Sequence, residues 1–164
     1  MDQSSHFFRS PRLPVRLVLV SSSEQVHGVL RSIFAHSNWR LDSTFSCEEA
    51  VAQLRGNAAA VVICDRELPD GNWRRLLEAT ESLPLPPKVI VMSNQADESL
   101  WAEVLRHGGY DLLTKPWKSR DILKVVSLAL RAWDSAFGPA RKFGRSAVSD
   151  ASPIAATAVH SMAG

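Results

Sequence analysis

The chain predicts an α/β fold, a five-stranded, doubly wound parallel sheet of (βα)5 type with helices on both faces. Three observations predict it. Short apolar runs of strand length alternate with longer stretches of helical periodicity. Three of the five runs are apolar at nearly every position, as strands covered on both faces must be. A carboxylate, Asp65, stands where the middle run passes into a turn, the place where open α/β sheets keep their sites.

The first strand is read over Val15 to Val20 and the second over Trp39 to Phe45. The third runs from Ala58 to Cys64, the fourth from Lys88 to Met92 and the fifth from Tyr110 to Leu113. Between the first two strands, Glu24 to His36 carries Val26, Val29, Leu30, Ile33 and Phe34 at helical spacing, with Arg31, Ser32 and His36 opposite. Ser46 and Glu49 fit a capping box that opens a helix over Cys47 to Arg55, with Gly56 closing it. Leu68-Pro69-Asp70-Gly71 reads as a turn, after which Trp73, Leu76, Leu77 and Thr80 mark a third helix. That helix ends at Pro84, Pro86 and Pro87, since proline cannot donate into a helix interior. Leu100, Trp101, Val104 and Leu105 mark a fourth, closed by Gly108 and Gly109. Ser119 is placed to cap a fifth, from Arg120 to about Ala136, with Gly138 and Pro139 stopping it.

The 164 residues, 45% apolar and 22% charged, suit one domain that buries about two thirds of its unfolded surface. Residues 14–137 form it, with residues 1–13 and 138–164 read as flexible, polar or Ala/Ser-rich tails. No output domain is expected after the fifth helix, so a signal would leave through the surface of this one domain. A net charge of +2, from 19 basic and 17 acidic residues without a basic block, gives no reason to expect nucleic acid as a partner. The apolar runs are too short to span a membrane, and the first residues show no signal-peptide pattern, so a cytoplasmic protein is expected. Cys47 and Cys64 lack metal-ligand spacing and read as packing residues.

In such a sheet the loops after the first, third, fourth and fifth strands meet at one edge. Ser21 to Ser23, Asp65, Ser93 with Asn94, and Lys115 followed by Pro116 would therefore be neighbours. A carboxylate, a hydroxyl and an ammonium at one place suit an aspartyl phosphate, the carboxylate as nucleophile and the others as donors to phosphoryl oxygens. The joint occurrence, in order and on the right strands, carries more weight than any one residue.

On these residues the chain resembles the receiver domain of bacterial two-component response regulators, with the flavodoxin-like, CheY-like fold. The resemblance covers about Val15 to Ala136. It rests on Asp65-Arg66-Glu67-Leu68-Pro69-Asp70-Gly71, on Val89-Ile90-Val91-Met92-Ser93, and on Gly108-Gly109-Tyr110-Asp111-Leu112-Leu113-Thr114-Lys115-Pro116-Trp117. It implies Asp65 as phosphoacceptor, Ser93 as switch hydroxyl, and Lys115 as phosphate contact before a cis Pro116. It also implies a sensor histidine kinase or phosphotransfer protein upstream, a downstream protein target, and a protein that is no enzyme beyond its own phosphorylation.

Two departures stand against the pattern. Where the family has an acidic pair that holds Mg2+ together with the acceptor aspartate, this chain has Ser21 and Ser22. A hydroxyl supplies an oxygen without the charge, and one carboxylate at about 4 Å is worth roughly 4 kcal/mol at an effective dielectric near 20. Mg2+ is accordingly expected to bind weakly or not at all, with Asp65 and Glu67 the candidate ligands and Glu24 nearby. Ser22 or Ser23 is read as the cap of the first helix. The second departure is Leu112, where the family commonly has an aromatic switch residue; Tyr110, by period-two alternation, would point to the same face. If phosphorylation is weak, Asp65 and Lys115 are expected to form a fixed ion pair. The chain would then act as a phosphorylation-independent pseudo-receiver, an interaction or dimerisation module.

The fifth helix has a narrow polar stripe of Arg120, Lys124, Ser127, Arg131 and Asp134 against a wide apolar arc. Trp101, Leu128 and Trp133 are candidate interface residues for a homodimer, whereas Trp117 reads as packing. A haloacid dehalogenase-type phosphohydrolase would carry its nucleophile after the first strand of its core. A nucleotide-binding flavodoxin-like fold would want glycine at the first helix's start. His6, His27, His36, His107 and His160 read as surface residues.

Overall fold

Alternation of side chains along the strands sets the layers. The structure, a computed structural model, describes residues 15–95 and 97–147. In chain order it contains β1 (Val15–Val20), α1 (Glu24–Phe34), β2 (Trp39–Thr44), α2 (Cys47–Gly56), β3 (Val61–Asp65), β4 (Glu67–Leu68), β5 (Gly71–Asn72), α3 (Trp73–Glu81), β6 (Lys88–Ser93), α4 (Glu98–Arg106), β7 (Asp111–Thr114) and α5 (Ser119–Ala147). Five strands form one parallel sheet in the order β2-β1-β3-β6-β7, and β4 and β5 make a separate antiparallel hairpin around Pro69 and Asp70. The expected (βα)5 architecture is therefore present, with the small hairpin added.

Leu17, Leu19, Val61, Ile63, Ile90 and Met92 send their side chains to one face, where α1 and α5 cover them with Leu30, Phe34, Ile122, Val126 and Trp133. Val18, Val20, Val62, Cys64, Val89 and Val91 face the other way, under Leu54 of α2, Leu76 of α3 and Val104 of α4. Each fully buried aliphatic side chain contributes about 1.5–3 kcal/mol, so the three central strands anchor the domain. Among the described residues no helix is long and apolar enough to cross a membrane.

The helix ends follow local chemistry. Ser23 caps α1, its hydroxyl accepting from Val26 N–H at 3.4 Å. Ser46 caps α2 by accepting from Glu49 N–H at 3.2 Å, while the Glu49 carboxylate accepts from Phe45 N–H at 3.0 Å, one residue before the cap. Asn72 caps α3 and Asp97 caps α4. Gly108 (φ 92°) takes the left-handed conformation after α4, and at Gly109 a Cβ would come within 2.9 Å of the Val104 carbonyl oxygen.

Several expectations are corrected. His27 is buried at 3% exposure and Val29 is exposed at 41%, because α1 sits rotated so that Val26, His27, Leu30 and Phe34 face inward. Tyr110 packs toward α5 while Leu112 packs on the opposite layer; Tyr110 precedes β7, so strand alternation does not govern it. The last helix does not stop at Gly138 and Pro139 but runs on to Ala147, with Ser119 as its first residue rather than its cap. Proline disfavours a helical residue before it partly through that residue's Cβ, and Gly138 has none. Residues 1–13 and 148–164 of the expected tails, with His6 and His160, lie outside the described residues. The wide apolar arc of α5 packs on the sheet and on α1, and among the described residues Leu128 is its large exposed hydrophobic, at 43%.

Candidate functional site

At the carboxyl edge of the sheet, β1, β3, β6 and β7 end side by side. Val20 is in register with Cys64, Asp65 with Met92, and Ser93 with Thr114. That register delivers Ser21, Asp65, Ser93 and Lys115 to one place from segments far apart in the chain. A cleft of about 510 Å³ opens there, lined by Ser22, Ser23, Asp65, Arg66, Glu67, Met92, Ser93, Asn94, Gln95 and Lys115.

Asp65 is held at both oxygens. Lys115 Nζ donates to Oδ1 at 2.9 Å, and the Ser21 hydroxyl donates to Oδ2 at 2.5 Å. The two charged side chains are 13% and 24% exposed, which keeps the pair from ready screening by solvent. Lys115 is placed from three sides. Its main-chain N–H donates to the Ser93 carbonyl at 2.8 Å, its bond to Pro116 is cis, and the Trp117 ring centroid lies 5.5 Å from its ammonium. Ser93 is buried, and its hydroxyl accepts from Gln95 N–H at 3.2 Å.

Ser21 is fully buried. Its N–H donates to the Thr44 carbonyl at 3.1 Å, its carbonyl lies 2.8 Å from His27 Nε2, and its hydroxyl accepts from Ser23 N–H at 3.1 Å. Ser22 is exposed on the cleft wall. The serines thus divide the work: Ser21 binds Asp65 and Ser23 caps α1.

The loop after Asp65 is tied down at two points. Arg66 N–H donates to the Met92 carbonyl at 2.9 Å, and the Arg66 carbonyl accepts from Trp73 N–H at 3.1 Å. Across the small hairpin, both Asp70 oxygens accept N–H groups of α2, from Cys47 at 2.8 Å and Glu48 at 2.9 Å. The Glu48 N–H chiefly, with that of Cys47, holds the Asp70 carboxyl below the usual carboxylate range against a small opposing effect of burial. Cys47 and Cys64 are both buried and free, and burial pushes the Cys47 thiol up to about 11 and that of Cys64 further still. They are packing groups with little thiolate character.

The carboxylates lining the cleft, where the family resemblance implies Mg2+, are Asp65 and Glu67. Among the described residues no group of three or more His, Cys, Asp or Glu side chains is placed to hold a metal ion. Asp65 brings one carboxylate, already engaged. Glu67 lines the cleft, but its side chain is 76% exposed and lies 3.9 Å from Arg66 Nε. Glu24 is exposed at the first turn of α1 and is not among the lining residues.

The interface candidates separate. Trp101 is 48% exposed, its indole N–H donating to Asp111 Oδ1 at 3.2 Å; Leu128 is exposed, and Trp133 is buried at 3% beside Phe137. Sequence reasoning missed two members of the site neighbourhood, His27 and Phe45. Their ring centroids lie 4.4 Å apart next to Ser21. The signal was a histidine one position after Val26 on the buried side of α1.

The profile of the response regulator receiver domain family matches residues 17–127. The regulatory protein VanRB of Enterococcus faecalis is 26% identical over 119 residues, 73% of this chain and 54% of its own length, so the chain spans about half of that relative. The CheY-like receiver domain protein of Methanospirillum hungatei is similar in structure, with a TM-score of 0.67, 20% identity and coverage of 74% of this chain and 98% of that one. The beryllofluoride-activated NtrC4 receiver domain dimer has a TM-score of 0.66 at 21% identity, covering 72% and 98%. With its sheet order, its Asp65, Ser93 and Lys115 edge and a family match over most of its length, the chain belongs to the response regulator receiver domain family.

Proposed function

We propose that the chain serves a two-component phosphorelay as a receiver in which Asp65 holds the phosphoacceptor position while its metal site has lost the charge that ordinary phosphorylation needs. The observation that carries this is the closed carboxylate: Ser21 and Lys115 take one Asp65 oxygen each. Phosphoryl transfer to a carboxylate brings negative groups together, and catalysis of it is mostly placement of positive charge. Lys115 supplies one positive charge here. Ser21 and Ser22 supply hydroxyls where the family supplies two carboxylates for a cation. Mg2+ therefore binds weakly or not at all, and the Asp65–Lys115 pair holds the domain in one state.

A sensor histidine kinase or phosphotransfer protein is the upstream partner in this reading. Output passes by contact to a downstream protein or to a second copy of the chain, through the face formed by α4, β7 and α5. Trp101 and Leu128 stand exposed there, and the dimeric state of the NtrC4 receiver supports a homodimer. A pseudo-receiver that never uses phosphate is the second reading, favoured by the same closed carboxylate.

Incubation with acetyl phosphate or beryllofluoride, with and without Mg2+, separates the readings by intact mass and by fluoride-mimic binding, with Asp65→Asn as control. The proposal expects weak modification at Asp65 with little Mg2+ dependence. Robust Mg2+-dependent modification would defeat the degraded-site reading, and none at any donor concentration would leave the pseudo-receiver.

A further inference from the structure

We propose that His27 is a positioning residue of the Asp65 site, acting through the main chain of Ser21. Its neighbours on the inner side of α1, Val26, Leu30 and Phe34, are apolar, and a buried imidazole among them is costly unless its nitrogens are bonded. One is: Nε2 lies 2.8 Å from the Ser21 carbonyl oxygen. A carbonyl only accepts, so Nε2 carries the proton and donates. The other nitrogen, Nδ1, is buried without a hydrogen-bond partner, and the half-exposed Phe45 ring lies tilted against the imidazole with its centroid 4.4 Å away.

Ser21 thereby becomes a relay with every polar group engaged. His27 holds its carbonyl, Thr44 accepts its N–H, and its hydroxyl accepts from Ser23 N–H while donating to Asp65. The residue is fully buried, so a freed carbonyl would find no water to replace the imidazole. Its peptide would turn to seek another donor, and the hydroxyl would leave Asp65 Oδ2. Closure of the phosphoacceptor position then depends on a side chain that does not touch it. This consequence rests on the closed-site reading above, since positioning Ser21 matters only while Ser21 occupies Asp65.

The test uses NMR on the full chain with neither Mg2+ nor phosphoryl donor, so that it stands or falls apart from the phosphorylation assay. Long-range proton–nitrogen spectra should show His27 with its proton on Nε2, and the Ser21 hydroxyl proton should appear downfield and protected from exchange. His27→Gln carries its amide nitrogen about where Nε2 sits and should keep that protection within about threefold, whereas His27→Leu, similar in bulk without a donor, should lose about tenfold or more. An Nδ1–H tautomer, an unprotected Ser21 hydroxyl in the native chain, or equal protection in the Gln and Leu variants would overturn the proposal. Should the Leu variant fail to fold, the tautomer and the Gln variant decide it.

Discussion

The two sides of the Asp65 site are built on the same sheet edge yet differ in kind. On the β6 and β7 side, Ser93, Lys115 and the cis Pro116 stand where the family resemblance placed them, with Lys115 on Asp65 Oδ1. On the β1 side the backbone frame is equally well made, but Ser21 puts a neutral hydroxyl on Oδ2. Geometry is common to both sides and charge is not. The same architecture can therefore carry a charged partner for Asp65 at one strand end and a neutral one at another, because the sheet is held by apolar burial that does not depend on what ends each strand.

Restoring the missing charge should give the largest effect. Ser21→Asp with Ser22→Asp is expected to raise Mg2+ affinity by at least about a hundredfold, measured by calorimetry, since each carboxylate adds several kcal/mol of attraction before desolvation. The same double variant should melt lower without metal, because two added carboxylates then crowd Asp65, one of them at the fully buried position 21. An unchanged Mg2+ titration would mean that charge on the β1 side is not what the site lacks.

Breaking the retained side comes next. Lys115→Met should destabilise the domain by about 2 kcal/mol in urea, below the usual 3–5 kcal/mol for a fully buried pair because this one is partly exposed. Ser21→Ala should cost less, about 1 kcal/mol, as it removes one hydrogen bond to a carboxylate that keeps its lysine on the other oxygen. If the serine variant lost more than the lysine variant, the ranking of the two sides would be reversed.

Outside the site, Trp101→Glu and Leu128→Glu should change stability by no more than about 0.5 kcal/mol while shifting sedimentation toward monomer. Unchanged sedimentation would remove the α4–β7–α5 face as a dimer surface.

The smallest change concerns pH. Asp70 has its carboxyl lowered by the α2 N–H groups, so its contribution is present above the unfolded value near 3.9 and is lost as pH falls through the folded value. Asp70→Asn should flatten that acid limb in denaturation curves between about pH 5 and 2, and an unaltered limb would assign it to other carboxylates.

Much of this was legible in the residues. The alternation of apolar runs and amphipathic stretches determined the five strands, the five helices and their parallel order, because burial on two faces leaves few other arrangements for such a pattern. That Asp65, Ser93 and Lys115 share one sheet edge could be read off as well, since strand ends in such a fold converge. Three-dimensional packing decided the remainder. His27 and Val29 are both compatible with α1 periodicity, and only the helix's rotation against the sheet put the histidine inside and the valine outside. Trp133 became core because α5 packs on the sheet beside α1, a contact no local pattern encodes. That Asp65 is closed by Ser21, and Ser21 held by His27, required β1, α1 and β3 to meet. Both hydrogen bonds depend on ångström distances between separate elements that local propensity does not carry.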